Sequence, residues 1–187
     1  MAPQGLRGAV AVAATLMVAM PASAGAYASS GGTAPGENAP SSAPSNPSAR
    51  AKISSDGRTA VAPNNAPPQV KRAIAAANRI TRKPYRYGGG HGKWNDSGYD
   101  CSGSVSFALH GGGLLKQPLD SSAFMHWGRA GRGRWITVYA NSGHAYTIIA
   151  GLRFDTSSAG SGGGSGPRWR SGGRSSSGYV ARHPAGF

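Results

Sequence analysis

Apolar and polar positions follow three different rhythms along this chain, and each rhythm predicts a different element. Val105, Ala108 and Leu109 recur at helical spacing behind Asp100, a residue suited to cap a helix start. Gly111-Gly112-Gly113 stops that helix abruptly, and Cys101 falls in its first turn. Further on, His144-Ala145-Tyr146-Thr147-Ile148-Ile149-Ala150 is rich in branched and aromatic residues and predicts a β-strand. Gly151 marks a turn, and Leu152-Arg153-Phe154-Asp155-Thr156 returns as a second strand. With any even-length loop between these strands, His144 and Asp155 project from the same face.

Elsewhere the pattern is missing. Residues 29–66 are dominated by Ser, Ala, Pro, Gly and Asn, with few large apolar side chains. Such a stretch buries too little surface to offset its chain entropy, so residues 25–66 are expected to be a disordered linker. Residues 157–178 form a second biased stretch of Gly, Ser and Arg, expected to be a loop. Residues 179–187 are a short strip expected to return to the sheet. What remains, residues 67–156, is enough for one small core.

The apolar run from Ala9 to Met20 reads differently, because Arg7 is the only charge among the first 24 residues. A basic start, a short apolar stretch and Ala22-Ser23-Ala24 describe a secretory signal peptide over residues 1–24, with Ala26-Tyr27-Ala28 as a second cleavage site. The run is short of the roughly 20 apolar residues that span a bilayer. The mature chain is therefore expected to be secreted, with no transmembrane segment after cleavage. Its charge is lopsided, 20 Lys and Arg against 6 Asp and Glu, a formal +14. Nucleic acid is the usual partner for such a balance, but export and the lack of any nucleic-acid motif exclude it. Anionic cell-wall polymers fit both facts.

Cys101 is the only cysteine, so an exported chain cannot use it for an internal disulfide. A thiol in the first turn of a helix feels the positive end of the helix dipole, which favours the nucleophilic thiolate. Efficient catalysis still requires a base. Of His91, His110, His126, His144 and His183, only His144 opens a strand with an acid, Asp155, on its own face. An acid beside a histidine fixes its tautomer and steadies its charged form. His91, His110 and His126 read as loop or helix-end residues with no metal-ligand spacing, and His183 as a structural residue of the tail. The loop Gly88-Gly89-Gly90-His91-Gly92 lacks the ending of a phosphate loop.

Taken in order, residues 70–81 as a helix, Pro84-Tyr85-Arg86-Tyr87-Gly88-Gly89, the Asp100-Cys101-Ser102-Gly103 helix, and Gly143-His144 opening a strand resemble the NlpC-type cysteine peptidases. The likeness covers residues 67–156. One position differs: Gly133-Arg134-Trp135 carries an arginine where the family's first core strand usually has an acid. The resemblance implies an α+β, papain-like domain in which the nucleophile's helix packs on a small antiparallel sheet. It implies peptide-bond cleavage in peptidoglycan stems, commonly between γ-D-glutamate and diaminopimelate or lysine, by a monomer with no metal and no cofactor. Asp155 matches the place of the family's third catalytic residue. By the same likeness Tyr87, Asp100 and Ser102 would line the substrate cleft beside the Cys101 thiolate. The alternatives are a non-catalytic basic wall-binding protein, or an N-acetylmuramoyl-L-alanine amidase or acyltransferase using the same residues.

Overall fold

A computed structural model describes residues 50–157 and 165–187 of the chain. The expected signal peptide, both cleavage sites, most of the expected linker and residues 158–164 of the Gly/Ser/Arg-rich stretch lie outside them. The described residues form an α+β fold with a small helical part and a six-stranded antiparallel sheet.

The helices come first. Helix α1 (Pro68–Ile80) starts with proline where no N–H partner is needed and buries Val70, Ala73, Ile74, Ala77 and Ile80 along one face. Helix α2 (Cys101–Gly111) is different, because every residue from Ser102 to Leu109 is buried. Its small residues allow that close approach. A side chain at Gly111 would collide with the Ala76 side chain, so α1 and α2 touch there almost backbone to backbone. The triple glycine has a second use: Gly113 takes φ +73°, and the Leu114 N–H donates to the Leu109 carbonyl at 2.9 Å, closing the helix end. A single turn, α3 (Ser121–Phe124), is capped by the Asp120 carboxylate and buries Phe124.

Two short strands, β1 (Lys52–Ile53) and β2 (Ala60–Val61), pair with each other. The main sheet contains β3 (Arg129–Ala130), β4 (Ile136–Asn141), β5 (His144–Ile149), β6 (Leu152–Asp155), β7 (Arg168–Arg170) and β8 (Val180–His183), in the order β3-β8-β4-β5-β6-β7. Register places Ile136, Val138 and Ala140 with Ala145, Ile149, Leu152, Phe154 and Trp169 on one face, the apolar core. Helix α2 packs on β5 and β6. The alternate residues Tyr139, Tyr146, His144 and Asp155 share the opposite face.

Two expectations need correction. Residues 50–66 are not a free linker: they carry β1 and β2, and Ala51, Ala60 and Ala66 are buried in the core. Asn78 on α1 holds this segment, its side-chain amide exchanging hydrogen bonds of 2.8 and 2.9 Å with the Ala60 backbone. Alanine contributes too little apolar area to mark such a stretch as core by composition. Nor is the Gly/Ser/Arg-rich stretch wholly loop. Its Arg168–Arg170 forms β7, and Trp169 packs on Phe154 with ring centroids 4.8 Å apart. Residues from the expected loop thus supply both a core aromatic and a sheet edge.

Candidate active site

The sharpest constraint on the site is the start of α2. Asp100 caps the helix in extended conformation, accepting the Gly103 N–H at 2.7 Å. Its other carboxylate oxygen accepts the Gly88 N–H at 3.0 Å, tying the preceding glycine loop to the helix. Gly103 is required here, since a β-carbon would run into the carbonyl oxygen of Gly89. Cap, loop and glycine together fix the first turn, and Cys101 stands in it, partly exposed.

His144 is fixed from the opposite side by the β4–β5 turn. The Asn141 side-chain oxygen accepts the N–H groups of Gly143 and His144 at 3.0 and 2.9 Å. On the next hairpin, the two-residue loop Ala150-Gly151 has φ of 47° and 78°, the left-handed pair that suits tight β-hairpins. This is an even loop, and the shared face follows: His144 Nε2 lies 2.9 Å from Asp155 Oδ1. With Nε2 committed to Asp155, Nδ1 is the ring nitrogen left for the Cys101 sulfur.

The electrostatics follow from these contacts. Burial raises the Cys101 thiol, but hydrogen bonds from the His144 ring and the Ala145 N–H bring it below its ordinary value. Burial works against a charged His144 ring, yet bonds to Asp155 and Cys101 push its pKa up to about 9. Asp155 is 1% exposed, and burial alone would raise it. Hydrogen bonds from His144 and from the Ser157 hydroxyl and N–H, at 2.6 and 2.9 Å, hold it well below the usual carboxylate range instead. A lowered thiol facing a raised imidazole is the signature of a thiolate–imidazolium pair.

Not every expected residue lines the cleft. Asp100 is 7% and Ser102 4% exposed, and both point into a network rather than toward solvent. The Ser102 hydroxyl lies 3.2 Å from both Asp100 Oδ1 and His91 Nε2, and His91 Nε2 lies 3.0 Å from Asp100. Asp100 and Ser102 therefore hold the nucleophile's turn in place, and His91 joins them. Tyr87 is 94% exposed. The tyrosine within electrostatic reach of Cys101 is Tyr85, whose hydroxyl is raised first by burial and then by the Cys101 charge. His183 is placed away from the pair, its Nδ1 3.1 Å from the Gly131 carbonyl.

Three contributors escaped the sequence reading. Ser157 carried a usable signal, since a residue two beyond an aspartate often closes a turn on its carboxylate. Arg174, in the Gly/Ser/Arg-rich stretch, carried none, and Tyr179 carried only the expectation that residues 179–187 return to the sheet. Both lie over the polar face of the sheet beside Asp155, Tyr146 and His144. Among the described residues, no helix is long and apolar enough to cross a membrane. Compared with known proteins, the chain matches no family model and no curated protein.

Proposed function

We propose that this protein is an exported, wall-associated cysteine hydrolase of the NlpC type, with a papain-like arrangement of Cys101, His144 and Asp155. The observation that carries this reading is the 2.9 Å hydrogen bond between His144 Nε2 and the buried Asp155, on a ring close enough to Cys101 to lower its thiol. The substrate class is a peptidoglycan stem peptide, cut between γ-D-glutamate and a diamino acid. The cut bond is the one that the likeness to the NlpC-type peptidases implies, and the basic balance of the chain suits an anionic wall.

The steps follow from the residues. The Cys101 thiolate attacks the scissile carbonyl carbon, and backbone N–H groups at the start of α2 face the oxyanion that develops. His144, as imidazolium, gives its proton to the leaving amine, and the carbon–nitrogen bond breaks to leave a thioester on Cys101. Neutral His144 then takes a proton from water, whose oxygen attacks the thioester. The acid product leaves, and the thiolate and imidazolium are restored. Asp155 keeps the ring in one tautomer and orientation throughout. Digestion of purified peptidoglycan by the full chain, with fragments identified by mass spectrometry, tests the reading. New amino termini at diaminopimelate or lysine support it, and a released, intact stem peptide indicates an amidase instead.

A further inference from the structure

Asp155 has two carboxylate oxygens and only one faces His144. The other, Oδ2, is buried with a full negative charge to satisfy, and a buried carboxylate free to rotate would leave the histidine. Oδ2 accepts from the Ser157 hydroxyl at 2.6 Å and from Arg174 Nη1 at 3.2 Å. Arg174 Nη1 also donates to the Ser157 hydroxyl at 2.6 Å, and Nη2 donates to the Tyr179 hydroxyl at 2.8 Å. Its guanidinium carbon stands 5.4 Å from the ring centres of both Tyr146 and Tyr179. Those two rings flank His144, each 6.4 Å from it centre to centre. One guanidinium thus meets the acid, its serine partner and the aromatic walls of the base. This is a planar, multi-donor task that arginine performs and lysine does not.

We infer that Arg174 is a positioning residue for the site: it clamps Asp155 Oδ2 so that Oδ1 stays on His144 Nε2. The inference rests on the cysteine-hydrolase reading above. It gives the Gly/Ser/Arg-rich tail a purpose, since that stretch delivers the clamp to the back of the site. Arg153 does not substitute for it. Its Nε is 3.8 Å from Oδ2 and, among the described residues, has no hydrogen-bond partner. The groups around Asp155 are His144 on β5, Arg153 on β6 with Arg170 across from it on β7, Tyr146 on β5, and Arg174 and Tyr179 from the tail.

Two effects of losing Arg174 oppose each other, which makes the inference testable. Removing a cation alone would strengthen the field of Asp155 on the ring and move loss of the imidazolium to higher pH. Releasing the carboxylate moves it to lower pH, and the clamp predicts this second direction. The experiment measures iodoacetamide modification of Cys101 against pH in the full chain, for Arg174→Gln and Arg174→Lys. Both are made also in an Asp155→Asn background, with folding followed by near-ultraviolet circular dichroism. Arg174→Gln is expected to slow alkylation at neutral pH about tenfold and to move the rate change that marks loss of the imidazolium down by about one pH unit. Arg174→Lys should fall between, and it carries the test if Arg174→Gln does not fold. In Asp155→Asn the same substitutions should add less than about twofold. A folded Arg174→Gln with a wild-type profile, an upward shift, or an equal loss in both backgrounds overturns the clamp alone. A wild-type rate no faster than that of His144→Ala overturns the clamp and the hydrolase reading together.

Discussion

Reactivity at the residue scale depends on Cys101 being ionised while His144 is still charged. The thiol is lowered and the imidazole raised to about 9, so a thiolate–imidazolium pair is expected from the point where the thiolate forms up to about pH 9. Alkylation of Cys101 should be fast across that window, and His144→Ala should slow it markedly near neutral pH. Equal rates in the two proteins would contradict the pair. Stability has the signs these shifts require. His144, raised above 6.5, contributes fully below that value and loses its contribution as pH rises through about 9. Asp155, held below 3.8, contributes above that value and loses it as pH falls through its lowered pKa. For turnover, Asp155→Ala should reduce kcat on the order of 10²-fold or more, and Asp155→Asn less, because an amide oxygen can still hold the ring. His183→Ala should cost only a few-fold, and a loss as large as that of Cys101→Ala would move the tail histidine into the site. The placement of Cys101 at a helix start and the shared face of His144 and Asp155 were legible in the sequence because a helix cap and a two-residue strand period are local rules. Ser102, Asp100 and Tyr87 were assigned to the cleft by likeness; Ser102 and Asp100 are buried in the network beneath the Cys101 turn, and Tyr87 is exposed.

At the scale of elements, α2 is the piece on which the site depends. Every residue from Ser102 to Leu109 is buried, so its position is set by close packing around its middle turns. Gly103→Ala would drive a methyl group into the Gly89 carbonyl, and neither backbone can yield without moving Cys101. The expected cost is about 1–3 kcal/mol in denaturant unfolding, together with slower Cys101 alkylation in the folded fraction. An unchanged unfolding midpoint would show that the loop and helix are not locked at this point. Elements with strong periodicity were legible: α1, α2, β5 and β6 fall within a few residues of their expected bounds. Those without it were not. The β1–β2 pair has only two residues per strand and is held by Asn78, and β7 sits between runs of Gly and Ser. Their formation is decided by tertiary partners, which a local pattern does not contain.

For the molecule as a whole, the described fold is a frame that brings three distant segments to one point. Helix α2 supplies the sulfur, the β5–β6 hairpin the base and its acid, and the carboxyl-terminal tail the covering arginine and tyrosine. Strand β8 holds that tail on β4, so Tyr179 arrives beside His144 at the end of the sheet where Cys101 lies. The α+β class was legible through the likeness to the NlpC-type peptidases, carried by the order of a helix, the Cys101 helix and the His144 strand. The tail's contribution was not, because a stretch rich in Gly, Ser and Arg carries the composition of a linker whatever it later touches. On the proposed function, this frame cuts stem peptides with Cys101. The most direct measurement is mass spectrometry of purified peptidoglycan incubated with the full chain and, in parallel, with Cys101→Ala. Fragments with new amino termini at diaminopimelate or lysine should appear with the wild-type chain and be absent with the variant. Wall left unchanged by a wild-type protein whose Cys101 alkylates rapidly, or equal fragments from both proteins, would contradict it.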